Sequence, residues 1–240
     1  MAAFLWIGGI GGSGTRAVAA ALAAAGMFPG ACLNESLDSL PMAAVHDRLL
    51  PDYLAGSAID IARWRVALAD ALAEHCRGAL PGAPVLVKNP RSVLAVEPLL
   101  AAVPSSSFLQ IVRNGLDMAF SSNQRQSILY GELLLGPSAA GMTAVARSLR
   151  LWCAVNLRAM EIADRYPGRC ALLRYEDLCA RPRQEVARIA SQLGLALDPA
   201  GVDPCAFRSV HRVLPGDWRQ QLGDALVEAA PVLNGYGYPC

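Results

Sequence analysis

A glycine-rich segment near the amino terminus, residues 4–16, constrains the fold of this chain more than any other feature. Phe4–Ile7 is a short apolar run that predicts a buried parallel strand. Five glycines lie within the next seven positions, and residues 16–25 then predict a helix. A strand, a glycine loop and a helix in this order point backbone N–H groups and the positive end of a helix dipole at an anion. The segment therefore predicts a loop that binds a phosphate-like group.

Three sequence patterns describe this loop. Residues 9–14 fit the G-x-G-x-x-G pattern of dinucleotide-binding folds, and Glu35 stands at about the distance of the acidic residue that contacts the ribose. Gly9 and Gly14 also have the spacing of the G-x-x-x-x-G-K-[ST] loop of nucleoside triphosphatases, although Thr15 occupies the lysine position. The third pattern is Ser-Gly-Thr at the start of a helix. The choice among the three depends on the rest of the chain.

Three further apolar runs predict strands, and each ends in or next to a basic residue. The runs cover residues 84–88, 107–113 and 171–175, with predicted helices between them. Strands that alternate with helices predict a central parallel sheet in a three-layer αβα sandwich. Ligands of such sheets bind beyond the carboxyl ends of the strands, so Lys88 and Arg113 are expected near the glycine loop. This edge is expected to bind an anion without a metal, since a phosphate hydrolase would need an acidic residue there for magnesium.

The composition narrows the class of protein. A chain of 240 residues with a net charge of +1 predicts a single α/β domain over residues 1–240 and no nucleic-acid footprint. No apolar run approaches the roughly 18–20 residues that span a bilayer, and no signal peptide is expected before the first strand. Seven scattered cysteines indicate the reduced thiols of a cytoplasmic protein, and three histidines without ligand spacing predict no metal site.

These residues together resemble the sulfotransferases that use 3′-phosphoadenosine 5′-phosphosulfate (PAPS), a family with a P-loop-type α/β fold. The most specific likeness lies in residues 112–121, where a strand ends in Arg113 and Ser121 follows eight positions later on the next predicted helix. The resemblance implies that Arg113 and Ser121 hold the 3′-phosphate of the donor. A guanidinium fork with a nearby hydroxyl suits a dianionic phosphate.

The glycine loop is similar to the 5′-phosphosulfate loop of the same family. The likeness implies that six loop residues bind the donor: Gly11, Gly12, Ser13, Gly14, Thr15 and Arg16. Many family members have Lys or Arg at the position of Gly12, and Arg16 is a candidate replacement for that cation. Tyr175, in the sequence Arg-Tyr-Glu-Asp-Leu, resembles a residue that contacts the donor nucleotide. Arg212 resembles a basic residue that clamps the 3′-phosphate, although Val213 replaces the glycine that usually follows.

The resemblance also implies two catalytic residues. Lys88 is similar to the strand-end lysine that stabilises charge on the bridging oxygen as the S–O bond breaks. Glu35 lies where several branches of the family carry a catalytic glutamate, which takes the proton from the acceptor hydroxyl. Asp38 and His46 are rival bases in the same predicted loop.

The sequence thus predicts a cytoplasmic, PAPS-dependent sulfotransferase that acts on a hydroxyl or amine of a small-molecule acceptor. Loops predicted at residues 27–56 and 124–142 would shape the acceptor pocket. Their apolar residues favour a hydrophobic or mixed acceptor: Leu33, Leu37, Leu40, Ile128, Tyr130, Leu133 and Leu134.

Two alternative functions stay open. The first is a P-loop kinase or nucleotide phosphotransferase, which the missing loop lysine disfavours. The second is a non-catalytic binder of adenosine bisphosphate, consistent with the absent cation at Gly12.

Overall fold

The computed structural model describes residues 3–208 and 213–238, in which four strands alternate with helices. The strands are β1 (Phe4–Gly9), β2 (Val85–Lys88), β3 (Ser107–Val112) and β4 (Cys170–Arg174). The α-helices of these ranges are α1 (Thr15–Ala24), α2 (Leu40–Leu54), α3 (Ile61–His75), α4 (Val96–Ala102), α5 (Gly115–Ala119), α6 (Arg125–Leu135), α7 (Ala144–Arg165), α8 (Tyr175–Ala180), α9 (Pro182–Leu193), α10 (Trp218–Leu222) and α11 (Asp224–Gly235). Short 3₁₀ helices cover Pro90–Leu94, Pro137–Gly141 and Pro199–Gly201. No helix in the described ranges has the length and apolar character needed to cross a membrane.

All four strands run parallel in one sheet, in the spatial order β2–β1–β3–β4. β1 lies in the interior of this sheet: Ile7 pairs with Lys88 of β2, and Gly9 pairs with Ile111 of β3. β4 pairs with the other side of β3. The carboxyl ends of the strands therefore meet at one edge. The glycine loop leaves β1 at that edge, between the ends of β2 and β3.

Helices cover both faces of the sheet, which confirms the predicted three-layer sandwich. On one face, Leu5 and Ile7 pack in a core with residues of α1, α8 and α9. On the opposite face, Trp6 and Phe108 pack in a larger core with residues of α2, α3, α4 and α7. Successive residues of β1 point to opposite cores, so the strand is buried on both sides and reads as a continuous apolar run.

Helix α2 corrects the prediction of a loop over residues 27–56. The Ser39 side chain accepts a hydrogen bond from the Met42 N–H (3.3 Å), and Pro41 occupies the first turn, where no N–H donor is needed. Pro51 lies within the helix, and the buried side chains Met42 and Leu49 hold the helix against the core. Burial of one helical face outweighs the unfavourable proline.

Helix α6 corrects the prediction of a loop over residues 124–142. Tyr130 is buried, and Gly131 packs so closely on α7 that a Cβ atom there would lie 3.2 Å from Cδ of Arg147. Gly136 has φ of +77° and ends the helix. The two segments expected to shape the acceptor pocket therefore contain the helices α2 and α6.

Gly8 is expected to tolerate no side chain. A Cβ atom there would lie 2.3 Å from the backbone N of Val93, which cannot move aside as a flexible side chain could. Gly8→Ala should lower the free energy of unfolding by about 3 kcal/mol, the upper range for overpacking. The control is Gly141→Ala, because Gly141 is exposed and a Cβ atom there meets nothing within 4 Å. Urea denaturation of both variants checks the prediction, and equal stability would contradict it.

Candidate active site at the carboxyl edge of the sheet

The glycine loop forms a tight turn between β1 and α1. The Ser13 N–H donates to the Ile10 carbonyl (2.9 Å), and Gly12 and Gly14 have φ of +97° and +93°, values that favour glycine. Gly14 directly precedes α1, and no described side chain caps this helix. The first N–H groups of a helix have no partner within the helix, so this end of α1 offers them to an anion.

The hydroxyl of Ser13 gives independent support for an anion at the loop. Ser13 is 1% exposed, and its Oγ has no hydrogen-bond partner among the described residues. A buried hydroxyl without a partner is costly, and native proteins keep few of them away from ligand sites. An oxyanion bound by the loop would accept this hydrogen bond, so the residues present fit a phosphate or sulfate group.

The segment after β3 brings Arg113 and Ser121 to the same loop. A Cβ atom on Gly12 would lie 3.5 Å from Oγ of Ser121, which accepts a hydrogen bond from the Asn123 N–H (3.2 Å). The Arg113 guanidinium lies 3.7 Å from the carboxylate of Asp117. Arg113 and Ser121, eight positions apart in sequence, thus flank the glycine loop in space.

Tyr175, which directly follows β4, packs its ring against the glycine loop. A Cβ atom on Gly14 would lie 2.2 Å from the Tyr175 ring, so only glycine fits there. The Arg113 guanidinium lies over the same ring, 5.4 Å from its centroid, and the Tyr175 hydroxyl donates to the Arg208 carbonyl (3.2 Å). Burial, reinforced by the neighbouring Cys179 thiol, raises the pKa of Tyr175 to about 12, so the phenol stays neutral.

The turn after Arg113 is fixed by hydrogen bonds that involve Glu176, Tyr238 and Trp152. Glu176 accepts hydrogen bonds from the Asn114 N–H (3.1 Å) and from the hydroxyl of Tyr238 (2.7 Å). Trp152 donates its indole N–H to the Arg113 carbonyl (3.0 Å). These contacts fix the backbone on both sides of the Arg113–Asn114 peptide, and with it the start of the Arg113 side chain.

Lys88, at the end of β2, is joined to the segment before α2. Its Nζ donates to Asp38 (2.5 Å) and to the Ser36 carbonyl (2.8 Å), and its side chain is 3% exposed. Burial lowers the pKa of Lys88, the Asp38 carboxylate opposes this shift, and the positive charge of Arg16 adds to it. Arg16 therefore lies within electrostatic range of Lys88, although its own side chain is exposed.

The three candidate bases occupy different environments. Glu35 is exposed, whereas Asp38 lines a cavity and contacts Lys88. The Asn34 side chain makes this difference by accepting hydrogen bonds from the N–H groups of Ser36 and Asp38 (both 2.9 Å). His46 is fully buried in α2, where burial, followed by the charge of Arg91, lowers its pKa to about 3.

The cavity beside the glycine loop has a volume of about 450 Å³. Its lining comes from the loop, the segment before α2, α2 itself, the residues after β2 and the start of α6: Gly11, Asn34, Ser36, Asp38, Ala43, Asp47, Asn89, Pro90, Arg91, Asn123, Arg125, Gln126 and Leu129. Glu35 is outside this lining, and so are all seven apolar residues that favoured a hydrophobic or mixed acceptor. The lining therefore gives that expectation no support.

Two lining residues have structural roles that the sequence analysis missed. Gln126 accepts a hydrogen bond from the Gly11 N–H (3.3 Å) and donates to the Gly9 carbonyl (3.4 Å), so it fixes the glycine loop to α6. Asp47 pairs with Arg91, which also contacts the hydroxyl of Tyr130 (3.3 Å). The segments of each pair are far apart in sequence, so no local pattern connects them.

Two other predictions concern Arg212 and a metal site. Arg212 lies outside the described residues. Among the residues that the structure does describe, no group of three or more His, Cys, Asp or Glu side chains could hold a metal ion. Arg174, at the end of β4, lies over the ring of Tyr238 (4.5 Å to the centroid) and 3.8 Å from the carboxylate of Asp177.

Comparisons with known proteins agree with the fold. Residues 5–199 match the model of the Sulfotransferase family. Three solved structures share the fold. The sulfotransferase domain from the curacin biosynthetic pathway is 15% identical with a TM-score of 0.56, and the match covers 91% of this chain and 82% of that one. A sulfotransferase from Alicyclobacillus acidocaldarius is 15% identical with a TM-score of 0.55 (97% of this chain and 94% of that one), and the sulfotransferase domain from the Synechococcus PCC 7002 olefin synthase is 16% identical with a TM-score of 0.52 (100% of this chain and 95% of that one). Among curated proteins, none matches the chain by sequence.

The burial of His46 predicts a pH-dependent stability. Its pKa is about 3 in the folded state against 6.5 for the free side chain, so the unfolded chain binds more protons between these pH values. Stability should therefore fall as the pH drops below 6.5, and His46 should account for about 3 kcal/mol of the loss between pH 7 and pH 4. Urea denaturation across this range should show a shallower pH dependence for His46→Leu than for the wild type. Equal slopes would contradict the assignment.

Proposed function

The chain belongs to the sulfotransferase family, and from this premise we propose that it transfers a sulfuryl group from PAPS to a hydroxyl or amine of a small-molecule acceptor. The meeting of the glycine loop, Arg113 and Ser121 at one edge of the sheet carries this proposal. Two anion-binding groups side by side suit a nucleotide that has a phosphate on its 3′ position and a phosphosulfate on its 5′ position.

Each end of the donor has its own set of proposed ligands. The 5′-phosphosulfate is bound by the loop N–H groups and the Ser13 hydroxyl, with Gly11, Gly12, Gly14, Thr15 and Arg16 completing this site. The 3′-phosphate is bound by Arg113 and Ser121. Arg212 is proposed as a second cation for the 3′-phosphate. The Tyr175 ring contacts both Gly14 and Arg113, which suits a residue that lies along the nucleotide.

PAPS supplies an activated sulfuryl group, whose transfer needs a cation near the bridging oxygen and a base for the acceptor proton. Lys88 is proposed as that cation, because it ends β2, which pairs with β1, the strand that leads into the glycine loop. The Asp38 carboxylate favours the charged form of Lys88, since it opposes the downward shift of the Lys88 pKa that burial causes. Among the candidate bases the geometry favours Asp38, because Asp38 lines the cavity and Glu35 does not. Glu35 stays the base that the family resemblance predicts.

The proposal extends to the whole chain and its location. Residues 1–240 are proposed to act as a single domain in the cytoplasm. The six described cysteines are all free thiols, in keeping with a reducing compartment. The kinase alternative would require binding of ATP with magnesium, so the donor experiment includes both nucleotides.

Donor binding tests the proposal first. Isothermal titration should show that 3′,5′-adenosine bisphosphate binds and that ATP with magnesium binds far more weakly. Arg113→Met should raise the dissociation constant for the bisphosphate by roughly 10- to 100-fold, because a charge-assisted hydrogen bond to the 3′-phosphate is lost. Arg65→Met, in an exposed residue of α3, is the matched control and should leave the constant unchanged. Tight binding of ATP with no binding of the bisphosphate would contradict the proposal and favour the kinase.

The choice of base is tested by two isosteric variants. With a panel of hydroxyl compounds as acceptors, Asp38→Asn should lower kcat by roughly 10²- to 10⁴-fold, the usual effect of losing a general base. Glu35→Gln should change kcat less than threefold. Both variants should bind the bisphosphate like the wild type, which separates loss of chemistry from loss of the site. The reverse order of the two effects would assign the base to Glu35. Bisphosphate binding without sulfate transfer in the wild type would favour the non-catalytic alternative.

A further inference from the structure

The lining of the cavity beside the glycine loop is predominantly polar. Nine of its thirteen residues have polar or charged side chains, and only Ala43, Pro90 and Leu129 present apolar ones. A hydrophobic acceptor would remove these polar groups from water without replacing their hydrogen bonds, which opposes binding. A ligand that offers several hydroxyl groups to this lining would replace them.

Both acidic residues in this lining already have cationic partners. Asp47 pairs with Arg91, and Asp38 pairs with Lys88. Paired carboxylates do not provide a site for a cationic ligand. The charges of these four residues balance one another, so the remaining charge of the cavity decides which ligands it attracts.

Arg125 provides that remaining charge. It lines the cavity as the first residue of α6, it is exposed, and it has no hydrogen bond or ion pair with any described residue. Its backbone position is fixed, because the next residue, Gln126, is hydrogen-bonded to Gly9 and Gly11 of the glycine loop. The positive end of the α6 dipole lies at the same place. Arg125 is therefore an unpaired cation among the described residues, carried by an anchored backbone at the side of the cavity next to the loop.

We propose that the acceptor is a small hydrophilic hydroxy acid, whose carboxylate binds Arg125 while its hydroxyl group faces Asp38. This inference rests on the proposed sulfotransferase function and names the acceptor class for the same site. A guanidinium binds a carboxylate with two parallel hydrogen bonds, so it orients the ligand as well as attracting it. A cavity of about 450 Å³ is in the range of small-molecule sites.

Matched pairs of acceptors test the inference. The probes are gluconate with glucitol, shikimate with methyl shikimate, and 4-hydroxybenzoate with its methyl ester, and octanol represents an apolar alcohol. Sulfate transfer from PAPS should favour the acid of at least one pair by about tenfold in kcat/KM. Arg125→Gln should remove that preference by lowering kcat/KM for the acid about tenfold, with the neutral partner changed less than twofold. Arg48→Gln is the matched control, because Arg48 is an exposed residue of α2 outside the cavity lining.

Binding measurements separate this inference from the function on which it rests. Titration of the same probes into the complex with 3′,5′-adenosine bisphosphate should show binding of an acid, and weaker binding of that acid to Arg125→Gln. If the bisphosphate binds but no acid is preferred, or if octanol or the neutral partners are preferred, only the acceptor class is overturned. An equal loss for acid and neutral partner in Arg125→Gln would also overturn it. If the bisphosphate does not bind, the proposed function fails, and the inference fails with it.

Discussion

The parallel pairing of β1 with both of its neighbours is the constraint on which the site depends. Because Ile7 pairs with Lys88 and Gly9 pairs with Ile111, the glycine loop leaves the sheet between the ends of β2 and β3. Lys88 then lies on one side of the loop, and Arg113 lies on the other. A shift in the register of either pair would separate these cations from the loop N–H groups, whatever the loop sequence. The anion site is thus a property of the sheet edge as a whole.

The sequence predicts the four strands of this sheet, but it does not predict two of the helices that surround it. The strands β1, β2 and β3 are buried on both faces, whereas Leu172 of the edge strand β4 is exposed. All four appear as apolar runs that end in glycine or polar residues. Helices α2 and α6 were predicted as loops because Pro41, Pro51 and Gly131 interrupt their patterns. In the folded chain Pro41 occupies a first turn, and Gly131 allows close packing against α7. Tertiary contacts therefore determine that these two segments are helical, and the local helix propensity of their residues does not predict it.

Some residues of the candidate site can also be predicted from the sequence, whereas others are recognised only in the folded structure. The glycine loop is visible in the sequence as a pattern that follows an apolar strand, and Arg113 and Ser121 are predicted through the family resemblance. Which carboxylate reaches the cavity is decided by the Asn34 turn and by Leu37, whose φ of +61° is unusual for a residue with a side chain. This turn directs Asp38 toward Lys88 and leaves Glu35 exposed. The family resemblance predicts Glu35 as the base, whereas this geometry favours Asp38.

A crystal structure of the complex with 3′,5′-adenosine bisphosphate tests the central claim most directly, because that claim concerns where the two phosphates bind. The 5′-phosphate should contact the N–H groups at Gly14–Arg16 and the Ser13 hydroxyl. The 3′-phosphate should contact the Arg113 guanidinium and the Ser121 hydroxyl. A nucleotide bound elsewhere on the chain, or bound at the glycine loop with its 3′-phosphate away from Arg113 and Ser121, would contradict the claim.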